Sequence, residues 1–158
     1  MIELSFSPLW SVGQTKGNDL GVLRAGDFES YGQVKLLVLD ENQITEIETD
    51  ALGRMEQLEQ LYLNGNQLTR IPISLPSSSL TCLFLETNRI TSVRAADLQG
   101  LNKLQQLHLS RNLIDSIEMG AFDQLTRLAL TDFLFIFPAC SPSSLIDVTR
   151  REDLHPEH

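Results

Sequence analysis

Four stretches of this chain repeat one eleven-residue phrase, and each closes on an asparagine followed two residues later by an apolar side chain. They read Val34-x-x-Leu37-x-Leu39-x-x-Asn42-x-Ile44, Leu58-x-x-Leu61-x-Leu63-x-x-Asn66-x-Leu68, Leu80-x-x-Leu83-x-Leu85-x-x-Asn88-x-Ile90 and Leu104-x-x-Leu107-x-Leu109-x-x-Asn112-x-Ile114. In each copy the Leu-x-Leu pair places two side chains on one face of a short strand, because strand side chains alternate faces. The asparagine then turns inward with the leucines. A buried bend leaves peptide N–H and C=O groups that need partners, and a side-chain amide carries both a donor and an acceptor. Asn42, Asn66, Asn88 and Asn112 are therefore read as a structural ladder rather than as catalytic groups.

The asparagines are spaced by 24, 22 and 24 residues. That phrase at that period is the signature of the leucine-rich repeat, in which each unit adds one turn to a solenoid. The expected fold is an α/β solenoid with short parallel strands on its concave face and irregular or short helical turns on its convex face. The convex side repeats too: Ile47, Ile71, Val93 and Ile117 stand five residues after each asparagine, and Leu52, Leu98 and Phe122 stand ten after. In the 22-residue unit, Ile71-Pro72-Ile73-Ser74-Leu75-Pro76 replaces the longer apolar turn, and its two prolines favour extended geometry over helix.

Counting 24 back from Asn42 reaches Asn18, read as a further rung of the structural ladder, with Leu20, Leu23, Phe28 and Tyr31 at familiar offsets. Ahead of Asn18 the strand positions fall on Trp10, Gly13 and Thr15, so the sequence suggests only the second half of a coil. At the other end Leu125 and Leu128 keep register, but the next asparagine position is Ile136. The expected organisation is a divergent segment 1–16, a repeat array 17–128, and a divergent tail 129–158 holding one strand over Phe133–Phe137 and a short helix near 145–153. The ends do not read as dedicated caps, as in an excerpt or alternative form of a longer array.

Strand parity points to the functional surface. Residues between and beside the inward leucines project from the concave sheet, and stacking aligns them in columns. One column is Val38, Tyr62, Phe84 and His108; the next is Asp40, Asn64, Glu86 and Ser110, with Glu41, Gly65, Thr87 and Arg111 beyond. Exposed rings flanked by carboxylates suit a protein interface, since rings bury area at low entropic cost and charges set orientation. The expected ligand-binding residues are Val38, Asp40, Glu41, Tyr62, Asn64, Phe84, Glu86, His108, Ser110 and Arg111, with a basic or neutral protein partner.

Other classes find little support. A formal net charge of −9 argues against nucleic acid or an anionic membrane surface, and no apolar stretch is long enough for a transmembrane helix. No acid–base, nucleophile or cofactor constellation emerges, so no enzyme, cofactor or metal is expected. His108 has no nucleophile at a predictable distance, and Pro156 separates His155 from His158 in a tail suited only to adventitious metal binding. Cys82 and Cys140 are read as two free thiols. The opening Met1-Ile2-Glu3-Leu4-Ser5 lacks the basic and apolar regions of a signal peptide. A homodimer covering the open ends is one arrangement so short an array could adopt.

The combination of a long unit, Ala51-Leu52-x-x-Met55-x-x-Leu58, with a short unit, Leu68-x-x-Ile71-Pro72-x-x-Leu75-Pro76-x-x-x-Leu80, resembles the small leucine-rich proteoglycans of the extracellular matrix. The resemblance covers residues 18–128. It implies a secreted protein that binds collagen or a growth factor through the concave sheet. The family's cysteine cluster ahead of the repeats and its disulfide-held C-terminal cap have no counterpart here. No Asn-x-Ser/Thr or Ser-Gly attachment sequence is present either. The alternative expectation is a non-secreted, uncapped fragment acting as a scaffold or having no independent function.

Overall fold

The computed structural model describes residues 20–128 in full and residues 5–6 and 12–14 by their backbone. In chain order these form β1 (Ser5–Phe6), β2 (Val12–Gln14), β3 (Val22–Leu23), a 3-10 turn over Glu29–Tyr31, β4 (Leu36–Val38), β5 (Glu46–Ile47), β6 (Gln60–Tyr62), β7 (Cys82–Phe84), β8 (Ser92–Val93), a 3-10 turn over Ala95–Leu98, β9 (Gln106–His108) and β10 (Ser116–Ile117). Among the described residues the convex turns hold 3-10 rather than α-helix. Asn18, Trp10, Thr15, Cys140, the Phe133–Phe137 run, the 145–153 segment and the tail histidines lie outside the described residues.

The chain coils as a leucine-rich repeat solenoid. Its concave sheet runs β1-β2-β4-β6-β7-β9, with β1 antiparallel to β2 and every later neighbour parallel. Gly13, Leu37, Leu61, Leu83 and Leu107 stand opposite one another in successive strands. On the flank, β3 pairs with β5 and β8 with β10, both parallel. The β2 pairing alters the expectation at the N-terminal side: the backbone supplies a strand for the coil of which only the second half was visible. A ladder needs peptide N–H and C=O groups, and Gly13 provides them without an inward leucine.

Packing follows the repeat. Leu37, Leu39, Leu61, Leu63, Leu83 and Leu85 are wholly removed from solvent, as are Ile71 and Val93 behind them. Leu52, Leu98 and Phe122 close the back of the coil. Each buried leucine contributes about 2 kcal/mol relative to an exposed one. The core is therefore a long seam in which each coil relies on its neighbours.

The asparagines bind that seam across coils. Asn66 Nδ2 donates to the carbonyls of Leu39 and Leu63, each at 3.0 Å, while its Oδ1 accepts from Ile44 N at 3.1 Å. Asn88 repeats the arrangement with Leu63 O at 2.9 Å, Leu85 O at 3.1 Å and Leu68 N at 3.1 Å. Asn112 does so with Leu85 O, Leu109 O and Ile90 N. Asn42 Nδ2 donates to Leu39 O at 2.9 Å. An aspartate could satisfy only the N–H in each of these triads, which is the physical reason for the amide.

The residue before each asparagine carries a second constraint. Glu41, Gly65, Thr87 and Arg111 have φ of 54°, 68°, 55° and 56°, the left-handed region. The chain must reverse there to bring the asparagine inward. Gly65 does so without strain; for Thr87 the same conformation is costly because its branched Cβ crowds the backbone.

Candidate functional site: an aromatic ridge on the concave sheet

The pairing Val38↔Tyr62↔Phe84↔His108 places four outward side chains on adjacent rungs. Strands in such a ladder lie about 4.8 Å apart, a spacing that suits stacked rings. Tyr62 and Phe84 stack with centroids 4.3 Å apart and planes 13° from parallel, and Phe84 meets His108 at 4.7 Å and 35°. The three rings form a continuous half-buried ridge. Their faces are spent on one another, so the ridge presents mainly ring edges to a partner. Val38, smaller and half-buried, forms a step at the Tyr62 end.

Polar groups fix both flanks. His108 Nδ1 lies 3.0 Å from Glu86 Oε1, which holds the last ring in the stack. The Tyr62 hydroxyl donates to Gln60 Oε1 at 3.2 Å. Burial, then the Cys82 thiol and the Asp40 carboxylate, push the Tyr62 phenol above its ordinary value, so it keeps its proton. Asp40 and Asn64 also serve the backbone. Asp40 Oδ1 accepts from Asn64 N at 2.7 Å, and Asn64 Oδ1 accepts from Glu86 N at 2.9 Å. Their side chains thus bridge coils at the edge of the ridge. Ser110 is half-buried at the end of this column, and Glu41, Thr87 and Arg111 are exposed beside it.

The candidate residues are therefore not equivalent. The structure brings Tyr62, Phe84, His108 and Glu86 into one contacting group, sets Val38, Asp40 and Asn64 at its margin, and leaves Arg111 at the far end. A fourth column, Leu36, Gln60, Cys82 and Gln106, lines the opposite flank. It escaped the sequence reading although strand parity gives it directly: each member stands two residues before a member of the ridge. Cys82 in that column is a free, half-buried thiol. Among the described residues no group of three His, Cys, Asp or Glu side chains could hold a metal ion, and no helix is long and apolar enough to cross a membrane.

A coil of parallel strands closed by an asparagine ladder, with its variable side chains on the concave sheet, defines a repeat solenoid. The family described as leucine rich repeat matches residues 16–68 and 78–130, and the chain belongs to it. Among curated proteins it is similar to asporin of Bos taurus, 32% identical over 58 residues, to fibromodulin of Gallus gallus, 35% over 65, and to opticin of Canis lupus familiaris, 37% over 60. These three bear out the likeness to the small leucine-rich proteoglycans. They cover 37%, 40% and 38% of this chain, and the matched part spans only 16%, 17% and 18% of their lengths. Two solved structures share the fold. A chain of the octameric complex of Latrophilin 3, Unc5D and FLRT2 aligns with a TM-score of 0.71 and 25% identity, covering 74% of this chain and 36% of that one. A chain of the Drosophila Toll–Spatzle complex aligns at 0.69 and 28%, covering 74% and 16%.

Proposed function

We propose that this chain is a non-enzymatic protein-binding module whose concave ridge of Tyr62, Phe84 and His108 docks a protein ligand in the extracellular matrix, of the collagen or growth-factor type. The observation that carries this reading is the ring stack itself. Three contiguous aromatic side chains half-exposed on a rigid sheet offer pre-ordered apolar area, the property of interface hot spots. The solved neighbours come from protein–protein complexes, and the curated relatives are matrix proteoglycans, which favours a protein ligand and an extracellular setting.

The test is surface plasmon resonance against fibrillar collagen and matrix-bound growth factors, comparing the chain with Tyr62→Ala/Phe84→Ala. Removing a hot spot of this kind costs about 2 kcal/mol or more, a loss of roughly thirtyfold in affinity. Circular dichroism melts confirm that the variant stays folded. A ligand bound with unchanged affinity by the double variant would place the interface elsewhere. Detection of the expressed chain in culture medium supports the extracellular reading; retention in the cell counts against it.

A further inference from the structure

Asn-Gly occurs once in this sequence, at Asn64-Gly65, beside the aromatic ridge. The same two positions hold Asp40-Glu41, Glu86-Thr87 and Ser110-Arg111 in the other coils. In an Asn-Gly pair the following amide meets no Cβ, so its nitrogen can reach the side-chain carbonyl carbon. Gly65 N, once it gives up its proton to hydroxide, attacks Asn64 Cγ; the Cγ–Nδ2 bond breaks and ammonia leaves. Water then opens the cyclic imide at Cγ to give aspartate, or at the main-chain carbonyl to give isoaspartate. The net change is one water consumed and one ammonia released, with no redox partner.

The folded coil holds both reacting groups away from this path. Gly65 N donates to Glu86 O at 2.9 Å, so its proton is engaged, and Asn64 Oδ1 accepts from Glu86 N at 2.9 Å, which fixes the amide towards β7. Asn64 N is tied to Asp40 Oδ1 at 2.7 Å and Asn64 O receives Asn66 Nδ2 at 3.3 Å. Attack requires the bonds to Glu86 to break together. We infer that Asn64-Gly65 is a latent self-modification site, closed while the β6 and β7 coils are zipped and converted to aspartate or isoaspartate when they open. The two products differ in consequence. Aspartate fits, because Asp40 plays the same role one coil earlier, and it adds one negative charge beside Tyr62. Isoaspartate inserts a methylene into the main chain two residues before Asn66, displacing an amide that serves Leu39, Leu63 and Ile44.

The experiment incubates the full chain at neutral pH, in buffer and in denaturing urea, and follows Asn64 by peptide mass spectrometry with isoaspartate-specific detection. Conversion in buffer is expected to be about tenfold or more slower than in urea, because the folded coil opens only rarely. Asn66→Ala, which loosens the coil without altering the dipeptide, should raise the rate in buffer towards that in urea. Asn64→Asp should melt close to the parent chain. Equal rates in buffer and urea, no conversion in urea, no acceleration in Asn66→Ala, or a collapsed Asn64→Asp variant would each overturn the inference.

Discussion

Replacing Asn66 by alanine tests the ladder most directly. The amide donates across coils to Leu39 O and within its own coil to Leu63 O and, at longer range, Asn64 O, and it accepts from Ile44 N. The losses are unequal. Leu39 O keeps Asn42 Nδ2 at 2.9 Å, and Leu63 O keeps Asn88 Nδ2 at 2.9 Å, so both carbonyls remain partnered. Ile44 N loses its acceptor in a fully buried setting. One orphaned buried N–H costs about 1–3 kcal/mol and two redundant hydrogen bonds about 0.5–1.5 kcal/mol each, so the expected cost is about 3 kcal/mol. Asn66→Asp should be at least as damaging at neutral pH, because its second oxygen would face the carbonyls of Leu39 and Leu63. Burial among those oxygens raises the pKa of the introduced carboxyl. Its folded state then binds the proton more tightly than the unfolded state, so stability returns as pH falls. Asn112→Ala should cost about half as much, since Asn112 is only half-buried and water can replace the amide. Urea unfolding followed by far-ultraviolet circular dichroism reads these differences. An Asn66→Ala cost below about 1 kcal/mol, or an aspartate milder than alanine at neutral pH, would show that the ladder does not carry the stability assigned to it.

Four further outcomes follow from the geometry. Thr87→Gly should stabilise the chain by about 0.5–1 kcal/mol, the relief of a left-handed β-branched residue exceeding the entropy cost of glycine. Gly65→Thr should destabilise it, with the new Cβ at 3.4 Å from Glu41 Cγ adding crowding; paired urea curves decide both. Tyr62 should titrate above the ordinary phenol value in a near-ultraviolet absorbance titration, with Tyr62→Phe identifying its signal. Because the folded pKa is the raised one, this contribution is present below the ordinary value near 10 and is lost as pH rises through the folded pKa. Asp97→Ala should lower stability by about 1 kcal/mol, since this buried carboxylate accepts from Arg94 N at 3.0 Å at the start of a 3-10 turn; a thermal melt indistinguishable from the parent would contradict that role.

The repeat phrase made the strand registers and the inward leucines legible, because period and parity together determine which side chains share a face. The same arithmetic put Tyr62, Phe84 and His108 on neighbouring rungs. It could not give the ring planes, which depend on rotamers chosen once neighbours are in place. Nor could it separate Asp40 and Asn64 from the ring group, since their attachment to the next coil's backbone exists only after coiling. The left-handed turns at Glu41, Thr87 and Arg111 were hidden because none of those residue types announces that conformation; Gly65 alone hinted at it. β2 was hidden for the opposite reason, a backbone ladder running on where the apolar signal had stopped.

The 22-residue unit between Asn66 and Asn88 joins two three-residue strands that stay in register with their neighbours. Both residues missing relative to the 24-residue units are therefore absorbed behind the sheet, in the stretch containing Pro72 and Pro76. Length on the back of the coil and alignment on the front vary independently. Such a chain can acquire or lose residues on its outer side while its concave-face columns keep their order, and can alter those columns residue by residue while the framework that aligns them stays intact.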